Sequence, residues 1–105
     1  MSWIYLIIAG FFEIGWPLGF KISQSGDNRL TGIVFAVVCM GISGFLLWLA
    51  QREIPIGTAY AVWTGIGAAG TFIVGVILFG DAGSLGRYFG ALLIISGVIT
   101  LKLAH

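Results

Sequence analysis

Glu13 is where chemistry is to be expected in this sequence. It stands near the middle of an apolar run from Trp3 to Phe20. At 1.5 Å per helical residue it lies about 15 Å from either end of that run. No other acid or base lies well inside an apolar stretch of the chain. An acid at the centre of a bilayer costs at least about 2.5 kcal/mol on insertion scales, and residues of this kind mark proton or ion pathways by default. Two roles fit it. A protonated Glu13 can simply hydrogen-bond a neighbouring helix, or its carboxylate can hold a proton and a cation in turn.

The neighbours expected on a helix suit the second role. At 100° per residue, Leu6, Gly10, Trp16, Pro17 and Phe20 fall within about 60° of Glu13. Gly10 leaves space one turn away, and Trp16 and Phe20 offer aromatic walls to a cation. Pro17 has no N–H, so the carbonyl of Glu13 loses its helical partner. A kink and a free acceptor therefore coincide with the acid, unless the proline serves only to shape packing. A second stripe, Tyr60, Trp63, Thr64, Gly67 and Gly70, recurs at helical spacing in the third apolar run. Tyr60 can donate to a carboxylate, and Trp63 supplies an indole N–H and a flat face. Gly65 and Gly67 weaken that helix midway, either as the hinge of a carrier that changes shape or as points of close helix packing. Ser43 lies at mid-depth in the second run, where its hydroxyl can support the carboxylate or bond back to its own helix.

The elements that must position these groups are membrane spans. Of 105 residues, 59% are hydrophobic and 9% charged, against about 25% charged in soluble domains. Mean hydropathy is +1.09. The charged residues punctuate the chain: the apolar runs are bounded by Lys21, by Asp27 and Arg29, by Arg52 and Glu53, by Asp81 and Arg87, and by Lys102. Backbone groups in lipid must be satisfied within their own segment, so such runs are helices. The sequence predicts an all-α membrane protein, a single four-helix transmembrane domain over residues 1–105, with helices at about 3–21, 30–50, 57–79 and 86–103.

That arithmetic leaves no room for a soluble catalytic domain. A net charge of +1 offers no basic patch for nucleic acid. Cys39, the one cysteine, has no partner for a disulfide and no companions for a metal site. It reads as a small buried residue, with neither metal nor cofactor expected. No nucleophile–base pair argues for an enzyme, and His105 reads as a solvated end. The start of the chain has no basic region before its apolar run and carries Glu13 within it, so it reads as a retained span and not a cleaved signal. Lys21, Arg29 and Arg87 fall on one membrane face, Arg52 and Lys102 on the other. This near-balance gives almost no orientation bias. Either something else sets the direction of insertion, or the chain inserts both ways and pairs head to tail. In the fourth run Gly86, Gly90 and Gly97 recur at spacings that favour helix–helix contact, which marks it as the dimerisation helix.

Three stretches carry a resemblance: Ile8-Ala9-Gly10-Phe11-Phe12-Glu13-Ile14-Gly15-Trp16, Pro55-Ile56-Gly57-Thr58-Ala59-Tyr60-Ala61-Val62-Trp63, and Gly90 with Ser96-Gly97-Val98-Ile99. With them the chain resembles the small multidrug resistance family over nearly its whole length. The resemblance implies a multi-pass protein of the bacterial inner membrane with four transmembrane helices per subunit. It further implies an antiparallel, dual-topology homodimer that exchanges protons for cations by alternating access. Its partners would be a second copy of itself, protons, the transported cation and membrane lipid. Glu13 matches the family's essential acid, Tyr60 and Trp63 its binding-site aromatics, and Gly90 and Gly97 its dimer-helix glycines. Trp63-Thr64-Gly65-Ile66-Gly67-Ala68 and Leu101-Lys102-Leu103 look like the guanidinium-exporter subtype, and Ser43 is similar to the serine that helps hold the carboxylate there. Pro17 and Phe20 depart from the alanine and leucine usual in the family. The expectation is a proton-coupled exporter of guanidinium-type cations. The alternatives are a broader exporter of quaternary ammonium or drug cations, and a small membrane packing or regulatory protein that transports nothing.

Overall fold

The structure, a computed structural model, describes residues 1–24 and 26–104; Ser25 in the first loop and His105 lie outside the described residues. The chain folds into α1 (Ser2–Ser23), a single 3₁₀ turn (Gly26–Asn28), α2 (Arg29–Ala50), α3 (Ile56–Phe79) and α4 (Leu85–Ala104), with no strand among the described residues. The helices have 22, 22, 24 and 20 residues. At 1.5 Å per residue each is about 30–36 Å long, enough to cross a hydrocarbon core of about 30 Å. All four are apolar enough to do so.

Local chemistry sets the ends. α1 runs past Lys21, whose ammonium sits in the last turn, where a cation complements the carbonyl end of the helix. It continues through Pro17 without interruption. α3 starts after Pro55, an extended residue (φ −54°, ψ 141°), and stops at Gly80, which takes the left-handed conformation (φ 67°) open to glycine. Ser84 caps α4: its Oγ accepts from the Arg87 N–H at 3.3 Å.

α1 lies at the centre, packed on α2 along one side and α3 along the other, while the backbone of α4 approaches α3 alone. The residues α2 buries are small: Gly32, Ala36, Cys39, Ser43 and Ala50. Their spacing of three, four and seven puts them on one face. Small residues let two backbones approach closely, which drives association where lipid is as apolar as the helices themselves. The approach is tightest at Gly19 and Gly32, where a methyl group on Gly19 would stand 2.7 Å from the carbonyl oxygen of Gly32. Cys39 is buried against Gly15.

The two ends of the bundle differ. At one, Leu6, Ala50, Ile54, Ala59 and Val62 form a buried cluster. There the Ser2 hydroxyl donates to Glu53 Oε1 at 2.8 Å, and the Lys102 ammonium sits 5.2 Å from the ring centre of Trp3. The start of α1 is thus tied to the α2–α3 loop and to the end of α4. At the other end α1 and α3 part around a groove. The whole is a slab, 44 × 34 × 16 Å, and its outer surface is strongly apolar. Val37, Phe45 and Trp48 on α2 and Leu92 and Leu93 on α4 are exposed, and Ala91 is the one buried residue among those described in α4.

Candidate functional site

Glu13 sits in the middle of α1 on the side that faces α3, and α3 admits it through a glycine. A methyl group built on Gly67 would overlap the Cγ of Glu13 and stand 3.0 Å from its Cβ. Only a residue without a side chain lets the two helices close over this acid. The carboxylate is partly buried, and its Oε1 accepts a hydrogen bond from the indole N–H of Trp16, one turn further along α1. Trp16 in turn packs edge-to-face on Phe20, with ring centres 5.5 Å apart at 78°. A carboxylate has about four acceptor positions, and the Trp16 bond is the one it makes among the described residues. Its remaining capacity opens into a cleft of about 290 Å³ lined by Glu13, Trp16, Pro17, Thr64, Gly67, Ala68 and Thr71. Among the described residues there is no cluster of His, Cys, Asp or Glu that could hold a metal.

One turn closer to the tied end is a second polar arrangement. The Ser43 hydroxyl, 1% exposed, donates to the carbonyl of Ala9 at 2.7 Å and accepts from the Trp63 indole N–H at 2.8 Å. One serine thereby joins α1, α2 and α3, and its only donor is spent on Ala9, so none is left for the Glu13 carboxylate in this arrangement. The Thr64 hydroxyl returns to its own helix, donating to the carbonyl of Tyr60 at 2.8 Å. Tyr60 is 56% exposed, with its ring centre 5.5 Å from that of Trp63.

Within one protomer the structure therefore brings Glu13 together with Trp16 and Gly67, and separately joins Ser43 to Trp63. Tyr60 and Trp63 do not line the Glu13 cleft. Tyr60 is instead exposed at the surface of the protomer. The space left by Gly10 is filled by Ile66, since a methyl on Gly10 would stand 2.7 Å from the Ile66 Cβ. Gly65 receives Val98 of α4, so the two mid-helix glycines of α3 face different neighbours within an unbroken helix. Gly90 and Gly97 meet nothing within 4 Å and leave that side of α4 uncovered in the protomer.

Sequence reasoning missed Ala68 and Thr71 as cleft residues. The signal was available in part: Thr71 follows Gly67 by four and Thr64 by seven, so the three share one face of α3.

Comparison with known proteins matches residues 1–94 to the sequence profile described as Small Multidrug Resistance protein. A protein named guanidinium exporter from Yersinia pseudotuberculosis is 51% identical over 104 residues, which covers 99% of this chain and 99% of the relative. The protein of that name from Yersinia pestis shows the same identity and coverage. A guanidinium exporter from Salmonella typhimurium is 46% identical over 99% of this chain and 98% of its own.

Proposed function

The chain belongs to the small multidrug resistance family, and from that premise we propose that it exports guanidinium-type small cations in exchange for protons. It is a multi-pass transporter of the bacterial inner membrane rather than an enzyme. The observation that carries the reading is the mid-span Glu13 carboxylate, held by Trp16 on one oxygen and open to a cleft elsewhere. A guanidinium ion is planar and presents N–H groups in a fork that matches a carboxylate. Trp16 and Phe20 stand beside the acid as aromatic walls suited to a delocalised cation.

Coupling needs no further part. A proton and a cation compete for the same oxygens, so each can be carried only when the other has left. A 16 Å slab with an uncovered α4 face does not enclose a route by itself. A second, antiparallel copy would meet the first along α4 through Gly90 and Gly97 and set two Glu13 carboxylates in one chamber. Exposed Tyr60 would then face the partner's half of that chamber. Two such carboxylates titrate as a coupled pair. Alternating access would draw on α3, where Gly65 and Gly67 reduce the resistance of the helix to bending.

The relatives named guanidinium exporters support the substrate class. A broader range of quaternary ammonium or drug cations is the second reading, favoured by exposed Tyr60 beside half-buried Trp63. Such ions have few or no N–H donors and would rely on aromatic faces. Guanidinium-evoked currents from protein in liposomes test the proposal. The wild type should respond to guanidinium, and Glu13→Gln should abolish the current. Normal current in that variant would sink the mechanism, and a response to tetraalkylammonium alone would move the substrate to the second class.

A further inference from the structure

The Glu13 cleft continues. Pro17 and Thr71 line it and also line a second hollow of about 200 Å³ between α1 and α3. Its wall carries Leu18, Val74 and Phe79, and its mouth carries Lys21 and Asp81 at the end of the bundle opposite the Ser2–Glu53 tie. Four features make this groove polar where the surrounding surface is apolar. Lys21 and Asp81 form no ion pair with each other or with another described residue. The Asp81 carboxylate lies directly over Gly75, which leaves room for it. The Thr71 hydroxyl makes no hydrogen bond to a described residue, whereas those of Thr64, Ser96 and Thr100 each return to a carbonyl of their own helix. Finally, a helix carbonyl points toward residue i+4, so the Glu13 carbonyl freed by Pro17 lies beside that ring, on the wall shared by both hollows. Between the acid and the mouth, neither α2 nor α3 adds a charged group, since Arg29 stands at the start of α2 and α3 has none.

We propose that this α1–α3 groove is a hydrated path within one protomer, by which the proton of Glu13 reaches water at the face bearing Lys21 and Asp81, with Thr71 as its positioning residue. Water needs room and polar partners, and at about 30 Å³ each several waters fit this volume. The Thr71 hydroxyl can accept from one water and donate to the next, and the Glu13 carbonyl gives a second acceptor beside it. A proton leaving the Glu13 carboxyl passes along these hydrogen bonds to bulk water at the mouth, and Glu13 is left as the carboxylate that binds the cation. The inference rests on the proton-coupled reading above but concerns where the proton travels.

Two measurements test it. In a Cys39→Ala background and lipid nanodiscs, Thr71→Cys should react with a charged, membrane-impermeant methanethiosulfonate. Its rate should exceed that of Ile77→Cys, on the lipid-exposed side of α3, by about tenfold or more, because thiols react only where water lets them ionise. In the second measurement, Thr71→Val should slow guanidinium-evoked proton release by about tenfold, with Thr71→Ser restoring it. Thr71→Cys as inert as Ile77→Cys would overturn the path, as would wild-type release in Thr71→Val. Cysteine accessibility requires no transport, so a failure of guanidinium exchange in the wild type would be recognised separately.

Discussion

Gly67→Ala isolates the contact on which the site depends. The new methyl would stand 3.0 Å from the Glu13 Cβ and overlap its Cγ, whereas carbon atoms at rest lie about 3.5–4.0 Å apart. Either α1 and α3 separate by roughly 0.5–1 Å or more, or Glu13 leaves its rotamer. Overpacking of this sort costs about 1–3 kcal/mol, and alanine returns about 1 kcal/mol of helix propensity. The net loss of stability is therefore expected to be about 0–2 kcal/mol, and the variant should fold. Function should suffer far more. Losing one well-aligned charge-assisted hydrogen bond costs about 1.5–3 kcal/mol, so the KM for guanidinium in proteoliposome current measurements should rise roughly 10- to 100-fold. Gly57→Ala is the matched control: nothing lies within 4 Å of that position, and both stability and KM should stay near wild type. A folded Gly67→Ala protein with wild-type KM would refute the reasoning, because the carboxylate would then tolerate displacement or would not be the cation's ligand.

Three further outcomes are expected. Ser43→Ala strips the Trp63 N–H of its acceptor and cuts the link between α1, α2 and α3. An unsatisfied buried donor costs about 1–3 kcal/mol but hydrogen bonds inside membrane proteins average nearer 0.6 kcal/mol. Unfolding in mixed micelles should therefore report a loss of roughly 0.5–2 kcal/mol, and no loss would remove that link from the fold's support. If protons and cations compete for Glu13, lowering pH should raise the KM for guanidinium while leaving the maximal current at saturating cation unchanged. A KM independent of pH across the neutral range would exclude competition. Gly97→Leu adds bulk to an uncovered face of α4 and should leave the protomer folded while weakening the dimer, as read by cross-linking in membranes. Undiminished cross-linking would place the interface elsewhere.

Much of this was legible in the sequence, for definite reasons. Four spans follow from runs of apolar residues cut by charges, and Glu13 stands out against them because one acid amid the seventeen other residues of its apolar run is costly. What could not be read was rotation. Helices apolar all round carry no strong stripe to say which side faces inward, so the pattern groups exposed Tyr60 with Trp63 and Gly67, and it gives no depth for their partners on the other helices. The structure turns Gly67 to Glu13 and Trp63 to Ser43, one turn apart. The partner of Ser43 was equally hidden, since the Ala9 carbonyl belongs to another helix and leaves no mark in side-chain pattern. Thr71 went unremarked because a threonine in an apolar run usually bonds to its own backbone; only the geometry shows that this one does not.

The unequal ends of the bundle suit α1, locked to α2 at Gly19 and Gly32, to act with it as a lever against α3. Ser2 is pinned to Glu53, and Trp3 lies under Lys102, whereas nothing described pins Lys21 to Asp81 at the far end. With its fulcrum at Ser2, the arm reaches about 17 Å to Glu13 and about 28 Å to Lys21 at 1.5 Å per residue. A swing of only about 10° would carry Glu13 by about 3 Å, the length of a hydrogen bond, and Lys21 by about 5 Å. Displacement thus grows along the helix toward the groove, so a rotation too small to disturb the buried cluster at the pinned end suffices to make or break a bond at the acid.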